Sequence, residues 1–360
     1  MNRRGEKQDN EEKHSLSGTT ERKECSRNGT RYSIPFLGNL VTKQSRIVTH
    51  VKPRNAFWSH LDNEHRDKVI ASDERNLPKN GPSVNADTKT VEGFGVEWTR
   101  FDQSALPEEE LRRIFEGYFR IFPWSQIPPE AVGFDLGCGS GRWAKVVASR
   151  VGLLHCIDAS AEALAVARRN LLQRTNCIFH HASVDQMPIK DETMDFGYSL
   201  GVLHHVPDTL GGIRACVAKL KPGAPFLVYL YYAFDNRPLW FRAIWRISDT
   251  VRRVVSRLPY HAKYSISQII AVCVYFPLAR LSRLAERFGL SVASFPLSAY
   301  RNLGFYTMRT DAFDRFGTRL EQRFTAQQIK TMMITAGLER IRFNEQENHW
   351  CAIGYKARQV

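Results

Sequence analysis

Apolar side chains recur in two rhythms along this chain, and the rhythm switches where glycine or proline intervenes. Between Ala131 and Leu230 short apolar runs alternate with stretches of helical spacing. The runs Val132–Leu136, Leu153–Asp158, Cys177–Ala182, Met194–Leu200 and Pro225–Leu230 predict strands. The stretches Trp143–Arg150, Ala161–Leu172 and Leu210–Leu220 between them predict helices. Such alternation predicts βαβ units on a parallel sheet. Upstream, Pro107 followed by three glutamates opens a helix, with acids on its positive dipole end. Downstream, Thr325–Gly337 predicts a last helix closed by Gly337, and Ile341–Phe343 and Trp350–Gly354 a final pair of strands.

The pattern divides the chain into four parts. Residues 1–90 have few regular apolar periods and carry 17 basic and 12 acidic side chains. Such a segment buries too little apolar surface to offset its ordering entropy, so a largely disordered extension is expected. Within it Tyr32–Val41 and Phe57–Leu61 are short apolar patches, and order is expected to begin around Gly93. Residues 91–232 form the main body of the α/β core, and 325–360 complete it. Between them, 233–324 are too long for a simple crossover and are expected to be a helical insert. In that insert Trp240, Ile244, Ile247, Val251, Val254 and Leu258 recur at spacings of three and four, which builds one apolar stripe on a helix. Arg242, Arg246, Arg253 and Arg257 line another face. A second apolar stretch, Ile266–Leu278, is expected to break at Pro277.

Charge sharpens this picture. The net charge is +14, and 15 basic against 6 acidic residues in the insert supply most of the excess; 14 of the 15 are arginine. Arginine pairs bidentately with carboxylate and phosphate, so the insert suits anion recognition as well as a merely solvated face. A basic amphipathic helix carrying tryptophan also suits a membrane surface, and residues 237–258 are the expected point of peripheral contact. The uncharged stretch between Lys263 and Arg280 spans 16 residues, short of the ~20 a spanning helix needs. Seven scattered cysteines without a CxxC pair imply reduced thiols, and the polar N-terminus lacks a signal-peptide core. A cytoplasmic protein is expected, and no metal site.

The strongest chemical signal is Asp135-Leu136-Gly137-Cys138-Gly139-Ser140-Gly141, which joins an apolar strand to a helix. Alternating glycines let the backbone turn tightly and let a ligand approach where a Cβ would collide. The following helix N-terminus presents free amides to that ligand. Gly139 to Ala144 also satisfies a relaxed dinucleotide fingerprint, with Asp158 at a plausible distance for a ribose. Two features disfavour that reading: an acid two residues before the first glycine, and Arg142 and Trp143 crowding the place of a pyrophosphate.

This loop resembles the first motif of class I S-adenosylmethionine-dependent methyltransferases, and further matches follow in order. Asp158 resembles the acid that holds the cofactor ribose, and Ser183–Ile189 the segment on the adenine. Met194–Val206, with Gly201-Val202-Leu203-His204-His205, resembles the fourth strand and its loop in the ubiquinone/menaquinone C-methyltransferase-like (type 11) subgroup. Leu220–Gly223 resembles the turn into the fifth strand. The resemblance implies a Rossmann-like seven-stranded sheet, mostly parallel with an antiparallel last strand. It implies S-adenosyl-L-methionine as cofactor, held by Asp135, Gly137, Cys138, Gly139, Gly141, Asp158, Ala159, Ser183, Val184 and Leu200. Ser183 stands where this subgroup often has aspartate, with Asp185 as a substitute acceptor.

Methyl transfer from a sulfonium needs alignment and help with the acceptor's proton. His204 and His205 follow the fourth strand and are the catalytic candidates, with packing or capping as the alternative. Neighbouring residues point oppositely, so only one is expected to face the cleft. Trp98, Arg100, Tyr232 and Trp240 are acceptor-binding candidates, the first two from the segment preceding the first motif. The insert points to a small-molecule, amphiphilic or lipid-like acceptor. An RNA methyltransferase is the rival reading, but the position after the fourth strand lacks the Asn/Asp-Pro-Pro-aromatic loop of base-amine enzymes. A non-catalytic binding protein on the same fold is the other rival, against which the intact glycine loop argues.

Overall fold

The computed structural model describes residues 83–358 apart from 236, 293 and 345–350. The expected extension through residue 82, with both of its apolar patches, lies outside the described residues, as does Trp350. The core is a seven-stranded sheet of β1 (Val132–Leu136), β2 (Leu153–Asp158), β3 (Cys177–His181), β4 (Phe196–Leu200), β5 (Pro225–Tyr229), β6 (Leu338–Phe343) and β7 (Cys351–Lys356). Strand order is β3-β2-β1-β4-β5-β7-β6. The first five strands run parallel, and β7 is antiparallel to both of its neighbours. Strands β4 and β5 are buried along their whole length, which is why they read as mostly apolar runs without polar alternation.

Helices α3 (Arg142–Val147), α4 (Ala161–Asn170) and α5 (Thr209–Lys219) are the crossovers, and α10 (Ala326–Thr335) precedes β6. Two apolar clusters cover the two faces of the sheet. One includes Phe119, Trp143, Leu154 and Tyr198. The other includes Phe134, Leu203, Phe226 and Met333. The order of the strands reverses between β1 and β4, so the crevice at their C-terminal ends is where this topology binds ligands.

Two helices precede the sheet: α1 (Thr88–Arg100) and α2 (Glu108–Tyr118). Helix α1 corrects the expected start of order near Gly93. Asp87 caps it by accepting from the Thr90 amide, and polar composition hid this start because the helix is held by tertiary contacts. Asn85 exchanges two hydrogen bonds with Asp208, at 2.9 and 2.8 Å. The Asp185 carboxylate accepts from Ser83 Oγ and the Val84 amide. Residues 83–90 are therefore part of the fold and not of an extension.

The insert is helical: α6 (Leu239–Val255), α7 (Tyr260–Ile270), α8 (Phe276–Arg287) and α9 (Phe305–Gly317). It has its own small core of Val255, Ala271, Tyr275, Ala279, Met308 and Ala312. The expected break at Pro277 is absent. A π-helical turn, Ala271–Tyr275, joins α7 to α8, and the helix runs on through Pro277. The result is one continuous helix, Tyr260–Arg287, long and apolar enough to cross a membrane by length and composition. The helix runs past the 16-residue gap between charges and includes Arg280, which donates to the carbonyls of Arg301 and Leu303. Helix α6 rests on the protein through Asp249, Arg252 and Val255. Its apolar stripe points outward.

Candidate functional site

One cavity of about 930 Å³ begins at the switch point and runs into the insert. Its first end is built by the glycine loop. Gly137 and Gly139 have φ of +74° and +53°, in the left-handed region that side chains avoid. A Cβ on Gly137 would lie 2.3 Å from a Val202 methyl, and one on Gly139 would lie 2.8 Å from the Trp98 indole. Trp98, on α1, thus forms a roof over the loop. Asp158, at the end of β2, accepts from the amides of Gly139 and Ser160 at 2.8 and 2.9 Å, so the acid is held rigidly beside the loop. Burial raises the Asp158 carboxyl, and these two amide hydrogen bonds oppose the rise.

The sequence-derived cofactor residues separate into two groups. Gly137, Asp158, Ala159, Ser183, Val184 and Leu200 all line the cavity. Cys138, Gly139 and Gly141 do not; they shape the loop from behind, with Cys138 buried against Cys156 and Gly141 starting α3. Asp135 also does not reach the cavity. Its carboxylate accepts from the Tyr198 hydroxyl at 3.0 Å on the other side of β1, and burial pushes its pKa up to about 8. The Ser183 hydroxyl lines the cavity and donates to Asp185, which is engaged in holding Ser83 and Val84. Ser183, not Asp185, is thus the side chain of this segment that faces the cavity.

The two histidines after β4 part company. His204 is fully buried, stacks on Tyr231 with ring centroids 3.8 Å apart, and does not line the cavity. His205 does line it. Its Nδ1 lies 2.6 Å from the Leu320 carbonyl, which only accepts, so Nδ1 carries the proton. The neutral ring then holds its lone pair on Nε2, a buried atom with no hydrogen-bond partner in the protein. Burial lowers the His205 pKa, against the opposing pull of Asp314 and the Leu320 hydrogen bond. His180 is paired with His155 across β3 and β2 and takes no part.

Of the acceptor candidates, Trp98 and Tyr232 line the cavity. Arg100 and Trp240 do not. Arg100 points outward to Tyr264, its guanidinium 5.1 Å from that ring, and Trp240 lies half exposed on the outer side of α6. Both sit on helices whose opposite faces meet the cavity, which sequence position alone could not resolve. The residues that sequence reasoning missed come mostly from tertiary approach. Phe94 and Glu97 arrive on α1, and Phe241 and Trp245 on α6. Asp311 and Asp314 arrive on α9, where their i, i+3 spacing on a helix was a readable signal.

These three acids face one another. Glu97 is pushed well up by burial and by the charges of Asp314 and Asp311. Burial raises Asp311 to about 6. The Tyr231 hydroxyl donates to Asp314 at 2.6 Å. Beyond them Arg323 lies within 4.9–5.2 Å of the rings of Tyr231, Phe234 and Trp245, and its Nε donates to Glu321 at 2.8 Å. The cavity therefore has an acid-rich waist and an aromatic far end.

A sequence-family model described as a methyltransferase domain matches residues 134–228. The ubiquinone biosynthesis O-methyltransferase of Nitrosospira multiformis is 28% identical over 160 residues, covering 43% of this chain and 64% of that protein. Phosphoethanolamine N-methyltransferase 2 of Caenorhabditis elegans is 29% identical over 111 residues, covering 30% of this chain and 25% of that protein. The chain thus spans less than two thirds of the length of each of these relatives. Among solved structures, an N-methyltransferase from Bradyrhizobium japonicum in complex with S-adenosyl-L-homocysteine is similar at 16% identity. It has a TM-score of 0.34 and covers 40% of this chain and 74% of that one.

Proposed function

We propose that this chain, whose residues 134–228 are a class I S-adenosylmethionine-dependent methyltransferase domain of the type 11 subgroup, methylates an elongated amphiphilic acceptor held in the helical insert. The observation that carries the reading is the continuity of the cavity. One end has the glycine loop, Asp158 and Ser183; the other has Phe234, Phe241 and Trp245. At about 930 Å³ it lies near the top of the range for ligand sites, ~300–1,000 Å³, and has room for a cofactor and a second molecule end to end.

The residues present fit the cofactor. The cradle at Gly137 excludes any Cβ, Asp158 is held beside the loop where it could accept from ribose hydroxyls, and Val184 and Leu200 offer apolar walls for a base. When bound, S-adenosylmethionine supplies an electrophilic methyl group. The protein's own part is to align the acceptor, exclude water and take a proton. Trp98 roofs the loop, the aromatic end aligns the acceptor's apolar portion, and His205 Nε2 is the base for an acidic O–H or N–H. The aromatic lining favours this reading over an RNA methyltransferase, because the insert arginines that face solvent are interleaved with apolar side chains.

Calorimetry with S-adenosylmethionine, followed by methyl-labelled cofactor and mass spectrometry of co-purifying lipids and small molecules, tests the proposal. Cofactor binding with label appearing in an amphiphile is expected. Tight NAD binding without response to S-adenosylmethionine would overturn it.

A further inference from the structure

We infer that the outer face of the insert, formed by α6 and the continuous helix Tyr260–Arg287, is a docking surface for an anionic phospholipid bilayer. Along α6 the side chains of Leu239, Trp240, Ile247, Val251 and Val254 are 42–79% exposed, while Asp249 and Arg252 are buried. This inverts the usual arrangement, in which the apolar stripe of a helix faces the core. Helix Tyr260–Arg287 repeats it, burying Ser267, Ala271, Ala279 and Ser282 and exposing Ile269, Val272, Phe276, Leu281 and Leu284. Fifteen of the 19 large apolar side chains exposed among the described residues lie in the insert. A patch of this kind marks an interaction surface.

Charge selects the occupant. Between Arg237 and Val292 the sequence has ten basic residues and two acidic ones. Of the two acids, Asp249 is buried against Arg252, and Glu286 is paired with Arg301 at 2.9 Å. Arg246, Arg253, Arg257, Arg283 and Arg287 remain exposed beside the apolar side chains. A second copy of the same face would set these arginines against one another. A bilayer with anionic headgroups satisfies both the arginines and the apolar side chains, and the half-exposed Trp240 suits the headgroup level.

The surface is also placed at the cavity. Ile244 and Val274 are exposed and at the same time line the cavity, so its insert end comes to this face. Helix Tyr260–Arg287 does not cross the bilayer in this arrangement. Its small-residue stripe and the hydrogen bonds of Arg280 to Arg301 and Leu303 bind it along its length to the protein, so it lies in the interface plane. Docking is a property of the surface alone and stands independently of the methyl-transfer reading.

Flotation of the full chain with vesicles of phosphatidylcholine, with and without phosphatidylglycerol, tests the inference without cofactor or acceptor. The chain is expected to float with the anionic vesicles, less as salt rises, and to be released by alkaline carbonate. Arg246→Gln combined with Arg283→Gln should weaken binding roughly tenfold or more, since each arginine near an anionic surface contributes about fivefold. Ile247→Asp combined with Val254→Asp, at exposed positions outside the cavity, should abolish flotation with circular dichroism unchanged. As a second measurement, vesicles should shift tryptophan emission to the blue, and less so in Trp240→Phe. Several outcomes overturn the inference: no flotation with either vesicle, flotation insensitive to both double variants, retention after carbonate, or a dimer by light scattering that Ile247→Asp dissociates.

Discussion

His205 donates its Nδ1 proton to the carbonyl of Leu320 over 2.6 Å, which fixes the ring with its lone pair on the buried Nε2 of a residue that lines the cavity. The partner carbonyl lies just before β-bridge residue Phe324, at the point where the insert returns to the sheet. The insert thus sets the tautomer of a residue that the β4 loop supplies.

This relationship predicts a pH profile. Burial holds the His205 pKa below its ordinary 6.5, so the basic form dominates at neutral pH. Turnover should be flat above neutrality and fall in acid through a pKa under 6.5. His205→Ala should lower kcat by about 10²–10⁴-fold while leaving cofactor affinity nearly unchanged, as loss of a general base does. His204→Ala should act mainly on stability, since His204 is buried under Tyr231. Steady-state rates across pH, with calorimetry of each variant, check both.

Gly137→Ala should impair cofactor binding and stability together. The left-handed backbone costs an L-residue about 1–2 kcal/mol, and the added Cβ meets a Val202 methyl at 2.3 Å. Thermal unfolding and cofactor titration of this variant should both shift; a normal titration would sever the loop from the cofactor site.

Truncation should separate two starting points. A chain beginning at Ser83 keeps the Asn85–Asp208 exchange and the Asp87 cap. A chain beginning at Thr90 loses both, and the cap alone is worth about 0.5–2 kcal/mol. The longer chain is expected to bind S-adenosylmethionine more tightly than the shorter, because α1 carries Trp98 over the glycine loop. Equal affinity would mean that α1 does not depend on its anchor.

Asp135 predicts an alkaline loss of stability. Its folded pKa is raised to about 8 from an ordinary 3.8 by burial, so the native state holds a proton that the unfolded state releases. This contribution is complete below pH 3.8 and is lost as pH rises towards 8, by about 1.4 kcal/mol per pH unit over most of that window. Asp135→Asn, which keeps an acceptor for the Tyr198 hydroxyl, should unfold with a shallower pH dependence between pH 6.5 and 8.5. Denaturant melts of the two chains at several pH values measure the difference.

The sheet and the glycine loop were legible in the residues alone. Short, mostly apolar runs such as Pro225–Leu230, bounded by turn residues and alternating with helical stretches, read as strands buried on both faces, and three alternating glycines after β1 have few other uses. Asp158 was legible for the same reason, since its place at the end of β2 follows from the run that precedes it. The tertiary structure decided what each side chain faces. Nothing local distinguishes His204 from His205, and only the packing of Tyr231 and the Leu320 carbonyl gives them different surroundings. Helix α1 was not legible because the polar residues just before it, Ser83 and Asn85, are held by partners more than 100 positions away, Asp185 and Asp208. The apolar stripe of α6 was plain in the sequence, but its direction was not. Periodicity marks a face of a helix without saying what lies against it, and here the buried Asp249 and Arg252 turn Ile247 and Val254 outward.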